Sequence, residues 1–465
     1  MAAFDPDSLA RWADGRWTAV PSVPVLGFAA DSRLLMPGQV FVALKTEKRD
    51  GHAYVAAAQS AGACAALVGA PVAGASIPQL VVGSPLAALQ AIARRHRLAF
   101  HGPVVGITGS AGKTSTKDLL AILLGGADSG EVPGSGARAP VLATRENLNN
   151  QIGVPLTLTR LDPAVHSFAV IEAGISAPGE MAVLAKTIEP DIAIITLVAP
   201  AHLRDLGTLE TVAREKAALA ARVRRGGVAV FPVSCAQFAA FRGLKAPTIV
   251  LGRDDDRSNG ASVVFSVSHR EGSTEVVLRG PGPATESFVL PPVSDGMAQN
   301  AALALHAARR LGIRSATLQD RLPQWKPAAL RGEVRRGDGR LVYLDCYNAN
   351  PASMADALAA FDRIAPQDLP RLYLIGCMEE LGPDAGRYHG ELGAGLGMRP
   401  NDLLVVLGDW AGEVAAGAAK AGAGSAQILA SVPRADIAGR LKSFHGAVFV
   451  KGSRRHELEK LFPPC

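Results

Sequence analysis

An apolar run, a glycine-bearing bend and a lysine–threonine pair that opens a helical pattern follow one another without a break at Val104-Val105-Gly106-Ile107-Thr108-Gly109-Ser110-Ala111-Gly112-Lys113-Thr114. This segment restricts the fold more than any other. A continuous apolar strand that turns directly into a helix belongs in a sheet covered by helices, and the turn must use residues that tolerate unusual backbone angles. Glycines there let successive N–H groups close around anionic oxygens, while the start of the following helix offers its positive end. Lys113 is placed to reach outer phosphates and Thr114 to hold a magnesium ion. Thr108, Gly109, Ser110, Ala111, Gly112, Lys113 and Thr114 are therefore the predicted ATP loop. The spacing is not G-x-x-x-x-G-K, because Ile107 stands where the first glycine would be. A tight turn with a solvated lysine is the plain alternative, and the preceding strand together with Gly-Lys-Thr-Ser argues against it.

A chain of 465 residues is too long for one core. Over 1–100, short apolar runs at 39–44, 65–68 and 80–82 alternate with helical patterns at 54–61 and 85–100, which predicts a small N-terminal α/β domain. Over 101–326, strands at 104–108, 168–172, 192–197 and 228–231 predict a central P-loop domain with a mostly parallel sheet, extended by a β-rich excursion at 262–289. The Gly/Ser/Ala/Pro-rich stretch at 125–140 reads as a mobile surface loop. The pattern breaks at Trp325-Lys326-Pro327. A fresh series with strands at 341–344, 371–375, 403–407 and 447–450 predicts a Rossmann-like C-terminal domain over 327–465. Hinges are expected near residues 100 and 326.

The net charge of +6 and pI near 9.1 come from scattered basic residues without interleaved aromatics, which excludes a nucleic-acid groove and favours a phosphate-rich small substrate. Five cysteines form no C-x-x-C pair, and no apolar run approaches the roughly 20 residues needed to span a bilayer. A soluble cytoplasmic protein without membrane partners is expected.

Glu172 ends the apolar run Val170-Ile171-Glu172, where an unpaired carboxylate is costly and a cation is needed. Magnesium with Thr114 and ATP oxygens is one answer, and an ion pair with a basic side chain is the other. His202 lies in the loop Ala201-His202-Leu203-Arg204, where capping or core hydrogen bonding is the plain reading. The amides of Asn147-Leu148-Asn149-Asn150-Gln151-Ile152-Gly153-Val154-Pro155-Leu156 suit a capping loop, and Asp345 at a strand end suits a nucleotide ribose or base.

Several of these segments together resemble the Mur ligases. They are T-G-x-x-G-K-T at 108–114, Asp31-Ser32-Arg33, the Asn147–Leu156 amides, Val212-Ala213-Arg214-Glu215-Lys216, Asp345-Cys346-Tyr347-Asn348-Ala349-Asn350-Pro351-Ala352-Ser353-Met354, Gly376-Cys377-Met378-Glu379-Glu380-Leu381-Gly382 with His389, and Val450-Lys451-Gly452-Ser453-Arg454. The resemblance spans all three predicted domains and is most specific at 345–354, in the form found in the branch that adds D-alanyl-D-alanine. It implies an ATP-dependent amide ligase of peptidoglycan synthesis that acts as a monomer on UDP-N-acetylmuramoyl-tripeptide and D-alanyl-D-alanine through an acyl phosphate. It further implies Ser32 and Arg33 on the uridine nucleotide, and Asn149, Asn150, Tyr347, Asn348, Asn350, Lys451 and Arg454 on the substrates, with the last two reaching an anionic group across the cleft. Asn300, Arg331 and Asp345 are implied on ATP. Glu172, Thr114, His202 and a carbamylated Lys216 are implied on magnesium, with Lys113, His202 and Lys216 catalytic. Three departures stand out. Gly296-Met297-Ala298-Gln299-Asn300 stands where a His-Asn pair is common, Cys377 stands where Asp is usual, and the D-N-P-R of a sister enzyme is absent.

Overall fold

The structure, a computed structural model, describes residues 3–126, 140–254, 260–280, 285–337, 339–430 and 432–462. Nearly all of the stretch read as a mobile loop, 127–139, lies outside the described residues. The chain is α/β, with three separate sheets.

The first sheet has the strand order Arg16–Trp17, Gln79–Val81, Ala65–Val68, Gln39–Val42, Gly27–Ala29, and only its first pair is antiparallel. Ala65–Val68 is buried along its whole length, which is why it reads as an unbroken apolar run rather than an alternation. The helix Pro85–Leu98 covers the sheet, capped by Ser84, whose Oγ accepts from the Ala87 N–H at 3.3 Å. Its last turn carries the fully buried Arg97, which donates to the Ile188 and Glu189 carbonyls and to Asp191 Oδ2, each at 2.9 Å. Held by these acceptors, with Arg224 also near the Asp191 carboxylate at 3.8 Å, this buried cation fixes the first sheet's helix to the second sheet.

The second sheet has nine strands in the order Thr285–Leu290, Ser273–Arg279, Val263–Arg270, Thr248–Arg253, Val228–Pro232, Ile192–Ile195, Val104–Thr108, Phe168–Glu172, Val141–Ala143. The first two pairings are antiparallel and the rest parallel. Separate apolar cores line its two faces. Leu119, Leu120 and Leu123 of the helix Lys113–Leu123 meet Ala301, Ala304 and Ala308 of Asp295–Arg310 on one side. Met181, Leu184, Val212 and Leu219 fill the other. Trp325, at 1% exposure, closes the first core where the pattern breaks in the sequence.

The third sheet runs Glu333–Gly337, Arg340–Asp345, Ala447–Lys451, Arg371–Gly376, Leu403–Leu407, Ile428–Ala430, antiparallel only at its first pair. Asp356 accepts from Ser294 Oγ at 2.6 Å and from the Gly296 N–H at 2.8 Å, and Arg363 pairs with Asp295 at 2.8 Å. These contacts join the third sheet's first helix to the end of the second unit. Among the described residues no helix is long and apolar enough to cross a membrane.

Candidate active site

Val104–Thr108 lies between Phe168–Glu172 and Ile192–Ile195, all parallel, although the chain visits them in a different order. The carboxyl ends of the three strands therefore bring the predicted ATP loop, Glu172 and the His202 loop to one crevice, as expected where strand order reverses. Two glycines of the loop are dictated by close approach. Gly112 has φ +79°, and a Cβ there would stand 2.2 Å from the Asn300 amide nitrogen. A Cβ on Gly109 would stand 1.9 Å from Thr196 Oγ1. Ser110 is pinned from below, its N–H donating to the Leu197 carbonyl at 2.8 Å and its Oγ accepting from the Ala199 N–H at 3.0 Å. Lys113 curls back, half-buried, to donate to the Gly109 carbonyl at 2.8 Å. Burial draws its pKa below the usual lysine range against the pull of Glu172, and the charge of Arg331 adds to the depression.

Glu172 Oε1 accepts from Asn149 Nδ2 at 2.7 Å and from Thr114 Oγ1 at 3.3 Å. Its Oε2 is buried without a hydrogen-bond partner among the described residues. A buried carboxylate oxygen without a donor is costly, and a hard cation resolves that cost. The same residues include no cluster of three or more His, Cys, Asp or Glu fit to hold a metal alone. The donor set, one carboxylate beside one hydroxyl, instead fits magnesium, which keeps waters and takes phosphate oxygens for the rest of its shell.

His202 adopts a left-handed backbone, φ 54° and ψ 29°, at the start of the short helix Leu203–Leu206. Its Nδ1 is hydrogen-bonded to Glu380 Oε2 of the third unit. Lys216, on Leu209–Ala220, is 3% exposed, and its ammonium has no hydrogen bond or ion pair among the described residues. Burial and then the charge of Lys113 pull its pKa down to about 7. Its neighbour Glu215 faces elsewhere and accepts from the Gly179 and Met181 N–H groups at 2.8 and 3.3 Å, at the start of Glu180–Ile188.

From the third unit, Arg331 Nη2 donates to Thr114 Oγ1 at 3.3 Å while its guanidinium lies 4.2 Å over the Tyr347 ring. Asn350 caps Pro351–Ile364 and donates from Nδ2 to the Ser110 carbonyl at 3.1 Å. Arg331, Tyr347 and Asn350 thus join Lys113, Thr114 and Glu172. Lys451 is held from within the third unit. It is 1% exposed, and its Nζ donates to Asp345 Oδ2 at 2.8 Å, to the Asn348 carbonyl at 3.1 Å and to the Asp345 carbonyl at 3.2 Å, so its three protons hold the 345–348 turn. Arg454 is exposed and ion-paired with Glu459. The Asn348 Oδ1 accepts from the Ala349 N–H at 2.8 Å. Asn150 Oδ1 accepts from the Ile152 and Gly153 N–H groups at 3.0 and 2.9 Å, which is the capping role open to it in the sequence, whereas Asn149 turns to Glu172. Ser32 and Arg33 lie apart from this group, between Gly27–Ala29 and Gln39–Val42 of the first sheet. Asp31 accepts from Arg33 Nη2 at 2.6 Å and from its N–H at 2.9 Å, which holds the Asp31 carboxyl at about 2. Glu380 has no assigned role in the sequence reading, and only its place in the 376–382 segment marks it.

A model of the Mur ligase middle domain matches residues 107–308, and one described as the Mur ligase glutamate ligase domain matches 330–454. The UDP-N-acetylmuramoyl-tripeptide–D-alanyl-D-alanine ligase of Bacillus subtilis is 30% identical over 402 residues, covering 85% of this chain and 82% of that protein. A crystal structure of MurF from Acinetobacter baumannii superposes with a TM-score of 0.85 at 27% identity, covering 99% of this chain and 98% of the other. The MurF ligase of Thermotoga maritima, solved in complex with ADP, superposes with a TM-score of 0.77 at 27% identity, covering 94% and 96%. With the nucleotide loop, the strand-end carboxylate and the third unit's turn all matched across this length, the chain belongs to the Mur ligase family, and is a ligase of its MurF branch.

Proposed function

We propose that the chain joins the terminal carboxylate of UDP-N-acetylmuramoyl-tripeptide to the amine of D-alanyl-D-alanine, using ATP and releasing ADP and phosphate. The observation that carries this reading is the convergence of Lys113, Thr114 and Glu172 with Arg331 from the third unit. A carboxylate oxygen of the tripeptide attacks the γ-phosphorus and ADP leaves, giving an acyl phosphate. The dipeptide amine then attacks the acyl carbon, and phosphate departs with the carboxylate's oxygen. Phosphoryl transfer asks mainly for positioning and charge neutralisation, and Lys113 and Arg331 supply two cations at the transferred group. Thr114 and Glu172 would hold a magnesium ion, which when bound offsets the phosphate charge. His202 and Lys216 would hold a second. Lys216 qualifies only after carbamylation, in which its neutral amine adds carbon dioxide and loses a proton. A pKa near 7 keeps enough of that neutral form at physiological pH.

In this reading residues 1–100 bind the uridine nucleotide, 101–326 bind ATP and 327–465 close over both. Asn300, packed against Gly112, and Asp345, beside Arg331, serve the nucleotide side. We assign the enzyme to the cytoplasm as a monomer, with neither nucleic acid nor membrane as partner. Phosphate release, measured with each substrate alone and with both, tests it. Release is expected only with both, and equal release with glutamate as the amine would reassign the chain to another branch of amide ligases. Ser32 and Arg33 serve the uridine end. Arg33→Ala is expected to raise the KM for the UDP-tripeptide about tenfold, the effect of one charge-assisted hydrogen bond, and to leave the KM for ATP unchanged. A change confined to ATP would overturn the domain assignment.

A further inference from the structure

The contact between His202 and Glu380 crosses from the second unit to the third, between residues 178 apart in sequence. It is not an isolated touch. The Arg204 N–H donates to the Glu380 carbonyl at 3.0 Å, and Gly382 lies so close that a Cβ on it would stand 3.3 Å from the backbone of Leu203 and Arg204. Glu380 and Gly382 have φ of +61° and +67°, so the Glu380–Gly382 turn of the third unit is shaped to sit on the His202–Arg204 turn of the second. Within this docking Glu380 meets two basic groups. Arg204 Nη2 is 3.6 Å from Oε1, but that side chain is 62% exposed and already pairs with Asp205 at 3.0 Å. The hydrogen bond to the half-buried His202 is the closer of the two, and only it can select one ring nitrogen.

We infer that Glu380 is the positioning residue for His202: by accepting the Nδ1 proton it leaves Nε2 as the nitrogen with the free lone pair, and it does so only when the third unit is docked on the second. The inference rests on the reading of His202 as an active-site ligand. Imidazole ligands are commonly oriented by a carboxylate on the opposite nitrogen, and loss of such a partner typically costs 10- to 100-fold in affinity or activity. The supporting side chain here belongs to another unit, so docking of that unit completes the ligand. A part-open enzyme would hold ATP with an undirected His202.

The test uses the full chain with Glu380→Ala, Glu380→Gln and Arg204→Ala, each checked for an unchanged thermal midpoint. Glutamine keeps an oxygen able to accept the Nδ1 proton. Glu380→Ala is expected to lower kcat by roughly 10- to 100-fold with KM for ATP within about twofold, while Glu380→Gln recovers most of the rate. Nitrogen NMR of histidine-labelled enzyme with ADP and UDP-tripeptide but without metal, so that the third unit is docked, gives a readout independent of turnover. His202 is expected with its proton on Nδ1 in the wild type and in Glu380→Gln, and shifted towards Nε2 in Glu380→Ala. An unchanged tautomer in Glu380→Ala, or an Arg204→Ala variant that reproduces the full loss of rate, overturns the positioning role. Full activity of His202→Ala, with the tautomer result intact, would instead remove His202 from the proposed mechanism and leave Glu380's hold on it standing.

Discussion

Lys113→Ala is expected to fold normally and to lose at least about 100-fold in kcat, the usual cost of removing one preorganised donor at developing charge. The two halves of that expectation have one physical origin. Among the described residues Lys113 makes a single hydrogen bond, to the Gly109 carbonyl, with Glu172 as the nearby carboxylate and Arg331 as the nearby cation. Burial is the largest cost of keeping Lys113 charged, and the pull of Glu172 is partly offset by Arg331, so this side chain contributes little to folding. Thermal midpoints within a few degrees of wild type, measured beside single-turnover phosphate release, check both halves. A variant that turns over at the wild-type rate would take the loop out of the chemistry.

Lys216→Ala is expected to be nearly inactive and to regain part of its activity with millimolar formate or acetate, which can enter the space left and restore the missing oxygens. An ammonium has no lone pair to offer a cation, so this side chain suits a metal only once carboxylation has reversed its charge. Its pKa of about 7 also carries a stability sign. The folded value lies below the unfolded one, so the unfolded chain binds the extra proton between about 7 and 10.5, and stability from this group falls as pH drops through that window and levels off below it. Lys216→Met, which keeps the apolar stem, should therefore be at least as stable as wild type near pH 7 while remaining inactive. In carbon-13 dioxide a carbamate resonance is expected in the wild type and not in either variant, weakening below pH 7 as the amine becomes protonated. An active Lys216→Ala enzyme would end this role.

Much of the site could be read in the chain because its chemistry limits residue types at adjacent positions. The loop from Thr108 to Thr114 is such a case, and Glu172 announces itself as a charge closing an apolar strand. Long-range partners leave no such local trace. Lys451 ends the apolar strand Ala447–Lys451 in the same way that Glu172 closes its own, yet its partner is Asp345 on the adjacent strand, which makes it an anchor of the 345–348 turn. Glu380 on His202 is equally invisible before folding. Asn149 and Asn150 are neighbours of identical type, and only the backbone decides that one faces Glu172 and the other accepts from the Ile152 and Gly153 N–H groups ahead of it. Among the strands, the long buried ones declare themselves. Arg16–Trp17 is too short to show a period, and Glu333–Gly337 is a polar edge strand whose place is set by antiparallel pairing with Arg340–Asp345.

The central claim is that the tripeptide carboxylate itself accepts the γ-phosphoryl group before the amine arrives at the acyl carbon. It is tested by oxygen-isotope transfer. UDP-N-acetylmuramoyl-tripeptide carrying oxygen-18 in its terminal carboxylate is turned over with ATP and D-alanyl-D-alanine in ordinary water, and the released phosphate is analysed by mass spectrometry. The account predicts one labelled oxygen in every phosphate, because the carboxylate oxygen that attacks phosphorus leaves with it. Phosphate free of label, released at the same rate, would mean that water cleaves ATP here and would contradict ligation through an acyl phosphate.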